Sequence, residues 1–245
     1  MVIAISTGSC YDLGLNPLES IHFLEKYKHL IQGIEVALAT PQEFKEFKPD
    51  NKALEFLKSL DFVSIHLPFQ EVRYANNKET QELLTKAEAL AKQINAQHLI
   101  IHPNTVDDFN SLKTSIPICI ENLNKKPENK GYFTVEEMSQ VLKQQPNLYL
   151  ALDIAHALGN NINPTEFLTL KNKIREIHVN GQWIKKGNLK EHGFLTEGTP
   201  EQLEKVKETL KLNVPKVIEA DIYPEKLPLL EKEIQLIKQL ETSQK

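Results

Sequence analysis

The sequence predicts a (β/α)8 barrel, an α/β fold built as one domain across residues 1–245. Three observations predict it. Short apolar runs alternate with amphipathic segments from one end of the chain to the other. The runs are mostly continuous in hydrophobicity, as parallel strands covered on both faces must be. Eight such strand–helix units fit into the 245 residues, close to the usual length of this barrel. The rival, an open doubly wound sheet, would usually begin with a glycine-rich phosphate turn, and Ser6-Thr-Gly-Ser9 is only a weak version of one. No low-complexity linker divides the chain.

The expected strands cover residues 2–6, 33–38, 62–67, 98–102, 116–121, 148–153, 174–179 and 214–219. Helical patterns fill the gaps. Residues 17–31 carry Leu18, Ile21, Leu24 and Leu30 at helical spacing, with Pro17 suited to a first turn. Residues 52–60 follow. Residues 78–95 form the clearest stripe, through Leu83, Leu84, Ala87, Leu90 and Ile94. A short helix is expected at 107–112. The one at 134–144 opens on Thr134 with Glu136 and Glu137 in its first turn, a favourable start. Residues 164–170, 199–210 and 224–240 complete the set. The Asn- and Lys-rich stretch 122–131 reads as a loop leaving the fifth strand.

Composition is that of an ordinary globular protein, 25% charged and 40% hydrophobic. A net charge of −4 leaves no global footprint for nucleic acid or an anionic membrane. Cys10 and Cys119 lie far apart and make neither a disulfide framework nor a zinc knuckle. Val2-Ile-Ala-Ile5 reads as a strand, not as a leader, and no apolar run is long enough to span a bilayer. A cytoplasmic protein with no membrane partner is expected.

Chemistry concentrates at the strand ends. Strand three ends in His66, strand four in His102-Pro-Asn104, strand five in Glu121-Asn122 and strand six in Asp153, with His156 three residues on. Strand seven ends Glu176-Ile-His178-Val-Asn180, and strand eight Val217-Ile-Glu219-Ala-Asp221. In a barrel these ends converge on one mouth. Six apolar runs ending in His, Asp or Glu would bury uncompensated charge unless a cation sat among them. Carboxylate plus imidazole is a donor set for zinc, manganese, iron or cobalt.

These residues resemble the xylose isomerase-like barrels, which include endonuclease IV, sugar isomerases and sugar epimerases. The likeness runs along nearly the whole chain. Their Glu, Asp, His and Glu at the ends of strands five to eight are matched by Glu121, Asp153, His178 and Glu219, and their Asp-x-x-His by Asp153 and His156. The resemblance implies that the first four bind a catalytic divalent metal, zinc or manganese. It implies that His66 and His102 line the same site and hold an additional metal in endonuclease IV-like members. Glu191-His-Gly-Phe-Leu-Thr-Glu197-Gly198 resembles the family's Asp-x-His followed by Gly-Glu-Gly. His192 fits. Lys190 stands where an Asp is wanted, and Thr196 where a Gly is. A charged lysine cannot replace a carboxylate ligand, so one or two metals per chain are expected rather than three.

The expected chemistry is isomerisation or epimerisation of a sugar or sugar phosphate. By resemblance to the epimerases, Glu121 and Glu219 exchange the proton and His156 binds a substrate oxygen. Asn104, Asn122 and Asn180 are expected at the substrate, with Trp183, Lys185 and Lys190 capping it from the loop 181–192. The alternative is zinc-dependent cleavage of abasic DNA. It is favoured by His66, His102, His156 and His192, with Phe69, Arg73 and Tyr74 as a wedge. Against it stand the acidic balance, Lys190, and the loop 39–43, which offers no arginine.

Overall fold

The computed structural model describes residues 2–127, 129–185 and 188–242, and for 183–185 and 188–191 the backbone alone. Eight strands among these residues close a parallel barrel. They are β1 (Ile3–Ser6), β2 (Gly33–Ala37), β3 (Phe62–His66), β4 (His98–Ile101), β5 (Ile118–Glu121), β6 (Leu148–Asp153), β7 (Ile174–Val179) and, after a hairpin numbered β8 (Gly181–Lys185) and β9 (Asn188–Gly193), β10 (Lys216–Ile218). The barrel order is β1-β10-β7-β6-β5-β4-β3-β2. Each expected barrel strand is present, most of them trimmed by a residue or two at the ends.

The helices are α1 (Pro17–Leu24), α2 (Pro41–Glu46), α3 (Asn51–Lys58), α4 (Lys78–Ile94), α5 (Val135–Gln144), α6 (Ile154–Gly159), α7 (Pro200–Leu210) and α8 (Leu227–Thr242). Several begin on a side-chain cap, as at Asn16, Thr40, Thr134 and Thr199. Five expectations are corrected. The helix expected over 17–31 stops at Leu24 and tightens into a 3-10 turn, Glu25–Tyr27, before the chain enters β2. Residues 107–112 hold only a 3-10 turn, Phe109–Ser111, capped by Asp108, and 164–170 are likewise 3-10. Residues 39–43, read as a loop, run into the capped helix α2. The loop 181–192 is the antiparallel pair β8–β9, whose base closes so tightly that a Cβ on Gly181 would meet the Phe194 carbonyl oxygen at 2.8 Å.

The apolar core lies between the strands and the helices as one cluster running from Ile3 to Ile237. The barrel interior is different. Its apolar contents are two small groups, Ala4 with Phe62 and Val217, and Ile100 with Cys119 and Ala151. Phe62 fills the floor so closely that a Cβ on Gly33 would lie 2.9 Å from its ring. Above that floor the register sets Ser6, Glu35, Ser64 and His98 side by side. A polar layer therefore lies inside the barrel, below the strand ends. Among the described residues no helix is long and apolar enough to cross a membrane.

Candidate metal centre

Glu121 closes β5 and occupies the middle of the mouth, only 2% exposed. Imidazoles surround it. His66 Nε2 and His102 Nε2 each lie 3.2 Å from its Oε2, and His156 Nδ1 lies 3.1 Å from its Oε1. His178 Nδ1 is 3.7 Å from Oε2. The His66 and His102 rings meet edge to face at 5.0 Å, and Phe69 stacks on His102 at 4.6 Å. Glu121 thus belongs to two sets of donors. His66, His102 and Glu121 form one, and Glu121, Asp153, His178 and Glu219 the other. Within each set the donor atoms lie within 4.8 Å of one another.

The Asp-x-x-His spacing has a local cause. Asp153 ends β6 and caps α6, its Oδ1 accepting the His156 backbone N–H at 2.6 Å. One helical turn then places His156 beside Asp153 and Glu121. His156 Nδ1 lies 2.9 Å from the Asn122 carbonyl oxygen. Asp153 Oδ2 accepts from Asn180 Nδ2 at 2.9 Å. Asn122 exchanges two hydrogen bonds with the Asp153 backbone, at 2.8 and 2.9 Å. Asn122 and Asn180 are fully buried and stand behind the acid, so the structure makes them its brace and keeps them off the cavity wall.

His178 tests whether this arrangement fits a cation. Its Nε2 lies 2.9 Å from Glu176 Oε1, which fixes the ring hydrogen on that nitrogen. Nδ1 is then left with a lone pair. It is fully buried, 3.0 Å from Glu219 Oε2, and has no hydrogen-bond partner among the described residues. A lone pair and carboxylate oxygens converging without a hydrogen between them is the arrangement a divalent ion satisfies. His66 repeats it. Its Nδ1 faces the Leu67 carbonyl oxygen at 3.0 Å, which turns the Nε2 lone pair towards Glu121. The residues therefore fit a divalent metal, and protons substitute for it in the bare chain. Burial lowers the His66 and His156 pKa values, but the carboxylates outweigh it, Glu121 at His66 and Asp153 with Glu121 at His156. They rise to about 9 and about 10. At His178 the carboxylates of Glu219, Glu35 and Glu121 likewise override burial and hold it well above the usual range. Burial pushes Glu219 up to about 7, against the pull of His178.

A cavity of about 520 Å³ opens over these donors. His66, His102, Glu121, His156, His192, Glu219 and Asn104 all reach its wall. His192, held at a positive φ of 61°, sets its ring 5.8 Å from His156, perpendicular to it. The side chains of Trp183, Lys185 and Lys190 lie outside the described residues. The proposed wedge is not formed. Tyr74 is fully buried with its hydroxyl on the Pro68 carbonyl oxygen, and Arg73 is tied to Asp107 and the Asn104 carbonyl oxygen.

Sequence reasoning gave no role to several residues. Tyr11, Asn124, Lys126, Asn129 and Asp221 also line the cavity, and Glu35 and Glu176 lie beneath it. The signal for the last two was available. Glu35 interrupts the apolar strand Gly33-Ile-Glu-Val-Ala37, and Glu176 stands two residues before His178, on the same strand face.

No family model and no curated protein matches the sequence. Solved structures do match in fold. A D-tagatose 3-epimerase-like protein is 18% identical with a TM-score of 0.65, over 98% of this chain and 99% of that one. The probable 3-DHS dehydratase AsbF of Bacillus anthracis is 15% identical with a TM-score of 0.71, over 97% and 99%. Endonuclease IV from Thermus thermophilus is 13% identical with a TM-score of 0.70, over 98% and 99%. The chain shares the (β/α)8 barrel fold of these proteins. At these identities the likeness is one of fold, and the three names carry three different activities.

Proposed function

We propose that this chain is a single-domain, divalent-metal enzyme that isomerises or epimerises a small sugar or sugar phosphate by moving a proton beside a carbonyl. The observation that carries the reading is the pair of carboxylates, Glu121 and Glu219, on the wall of one 520 Å³ cavity with their acidities pushed apart. Glu121 is held well below the usual carboxylate range: burial raises it, but His102 and His178 more than offset that. Glu219 is raised to about 7. Two carboxyl groups tuned apart in this way divide into a base and an acid. The cavity is of monosaccharide size, and Asn104, Asn124 and Asn129 supply amides to its wall.

Glu121, Asp153, His178 and Glu219 would hold one zinc or manganese ion, and His66 and His102 with Glu121 a second. When bound, the metal polarises substrate oxygens and lowers the cost of the developing negative charge. The side chains do the rest. Glu121 and Glu219 (14% exposed) exchange the proton between them, and His156 binds a substrate oxygen. Asn122 and Asn180 keep Asp153 from turning away.

A second reading, metal-dependent phosphodiester hydrolysis of abasic DNA, is favoured by one observation. Glu121 is shared between two donor sets, which suits a pair of ions clamping a phosphate. One experiment separates the readings. The metal-loaded chain is incubated in D2O with a panel of ketoses, aldoses and their phosphates, and in parallel with duplex DNA carrying an abasic site. Deuterium entering the carbon beside the carbonyl, lost in Glu219→Gln, supports the isomerase reading. Nicking of the duplex with no exchange in any sugar overturns it.

A further inference from the structure

Glu35 lies in mid-strand between Ile34 and Val36, fully buried inside the barrel. Neither of its carboxylate oxygens has a hydrogen-bond partner among the described residues. Placing a carboxylate there is costly, and an apolar residue would serve the barrel better. Its surroundings say what it faces. Oε2 lies 3.3 Å from His178 Nε2. That same nitrogen sits 2.9 Å from Glu176 Oε1, and the other Glu176 oxygen lies 2.9 Å from His98 Nε2. Glu35, Glu176 and His178 thus form a compact group on the buried side of the imidazole, with their donor atoms within 4.8 Å of one another. The opposite nitrogen, Nδ1, faces Glu219 and Glu121 at the mouth.

We infer that Glu35 and Glu176 are positioning residues for the metal centre, gripping the buried edge of His178 so that its Nδ1 lone pair is aimed at the ion. The inference rests on the metal-binding reading above. Three features support it. Two carboxylates on one side of the ring and two on the other leave a single productive tautomer, with hydrogen on Nε2 and the lone pair on Nδ1. A carboxylate behind a ligating imidazole strengthens the donor nitrogen. His98 completes a chain from β4 across the barrel to β7, so Glu176 is held from behind while it holds His178.

The test is a cobalt(II) titration of the full chain, followed by visible absorption, together with the thermal midpoint of the metal-free protein. In Glu35→Gln, cobalt affinity is expected to fall by about ten- to a hundredfold with a changed visible band. The metal-free midpoint is expected to stay level or rise, because a buried carboxyl whose oxygens have no hydrogen-bond partner among the described residues has been replaced. A structural role would lower the midpoint and leave affinity and spectrum alone, and that outcome overturns the inference. So does a variant that binds one cobalt fewer while holding the rest as tightly as wild type, since Glu35 would then belong to an ion site of its own. Should Glu35→Gln not fold, Glu176→Gln carries the same expectation, and unchanged affinity and spectrum there overturn the inference. A wild-type chain that takes up no cobalt overturns the metal-binding reading itself, and is told apart because it fails before any substitution is made.

Discussion

Lys216, at the start of β10, and Glu121, at the end of β5, are both charged side chains taken out of water, and the fold treats them in opposite ways. Lys216 is fully buried at one end of the barrel, and the chain answers it completely. Its ammonium donates to the Leu212 carbonyl oxygen, donates to the Val214 carbonyl oxygen at 2.8 Å, and lies 3.6 Å from Glu241. Glu233 shows the same economy, accepting from the backbone N–H groups of Leu195 and Thr196 at 2.7 and 2.9 Å. At the mouth the answer is incomplete. Glu121 has imidazoles on every side, and His66 Nε2 and His178 Nδ1 face carboxylate oxygens at 3.2 and 3.0 Å, held in the bare chain only by protons. Structural burial satisfies its charges from within the chain, whereas this site needs something from outside.

The largest effect that comparison predicts comes from Glu121→Ala. It removes the one carboxylate common to both donor sets, so both should lose their ion. Elemental analysis after dialysis against a weak chelator is expected to find the wild-type chain loaded and the variant empty. A variant that kept its full metal content would break the contrast at its centre.

A second prediction concerns pH. In the bare chain, protons stand where the metal would, with His66 at about 9 and His178 held well above the usual imidazole range. Both lie above an ordinary imidazole, so at neutral pH these protons must be displaced before the metal binds. Affinity should therefore rise as pH rises from 7 towards 9, and fall below 7 as the proton's hold grows. Measured by competition with a chromophoric chelator at fixed ionic strength, the rise is expected to be about tenfold per proton released per pH unit. Affinity that is flat over this range would show that no ligand proton is displaced.

At the other end of the barrel, Lys216→Met keeps the length of the side chain but leaves the Leu212 and Val214 carbonyl oxygens unanswered. A loss of about 1–3 kcal/mol in chemical denaturation is expected, with metal affinity unchanged. A change in affinity without a change in stability would reverse the two roles.

How much of this was legible in the sequence follows the same division. The barrel strands were, because their apolar runs are set by burial on both faces. So was the convergence at the mouth, because a His, Asp or Glu that ends an apolar run has no structural excuse. The brace was not. Asn122 and Asn180 are the residue types a substrate site would use, and only the fold reveals that their amides turn to Asp153. Glu35 was overlooked because a lone acid in an apolar strand marks a position as unusual but names no role until its partners on β7 are brought across the barrel. The hairpin β8–β9 was read as a loop because Gly181-Gln-Trp-Ile-Lys185 and Asn188-Leu-Lys-Glu-His-Gly193 show no regular apolar alternation in the sequence, and pairing between their backbones holds them together.

The smallest predicted effect concerns His192, beside His156 at the mouth. His156 and His192 approach each other at 5.8 Å, but neither set of converging donors includes His192. Its Nδ1 lies instead 3.3 Å from Asn180 Nδ2 and 3.3 Å from the Glu219 carbonyl oxygen. By sequence likeness its partner in a third metal site would be an acid two residues earlier, where this chain has Lys190. His192→Asn should therefore leave the number of bound ions unchanged and weaken turnover more than metal affinity, since the ring touches the cavity and not the donor sets. Loss of one ion in this variant would show that the chain builds a third site without the acid, and would shift the balance towards the phosphodiesterase.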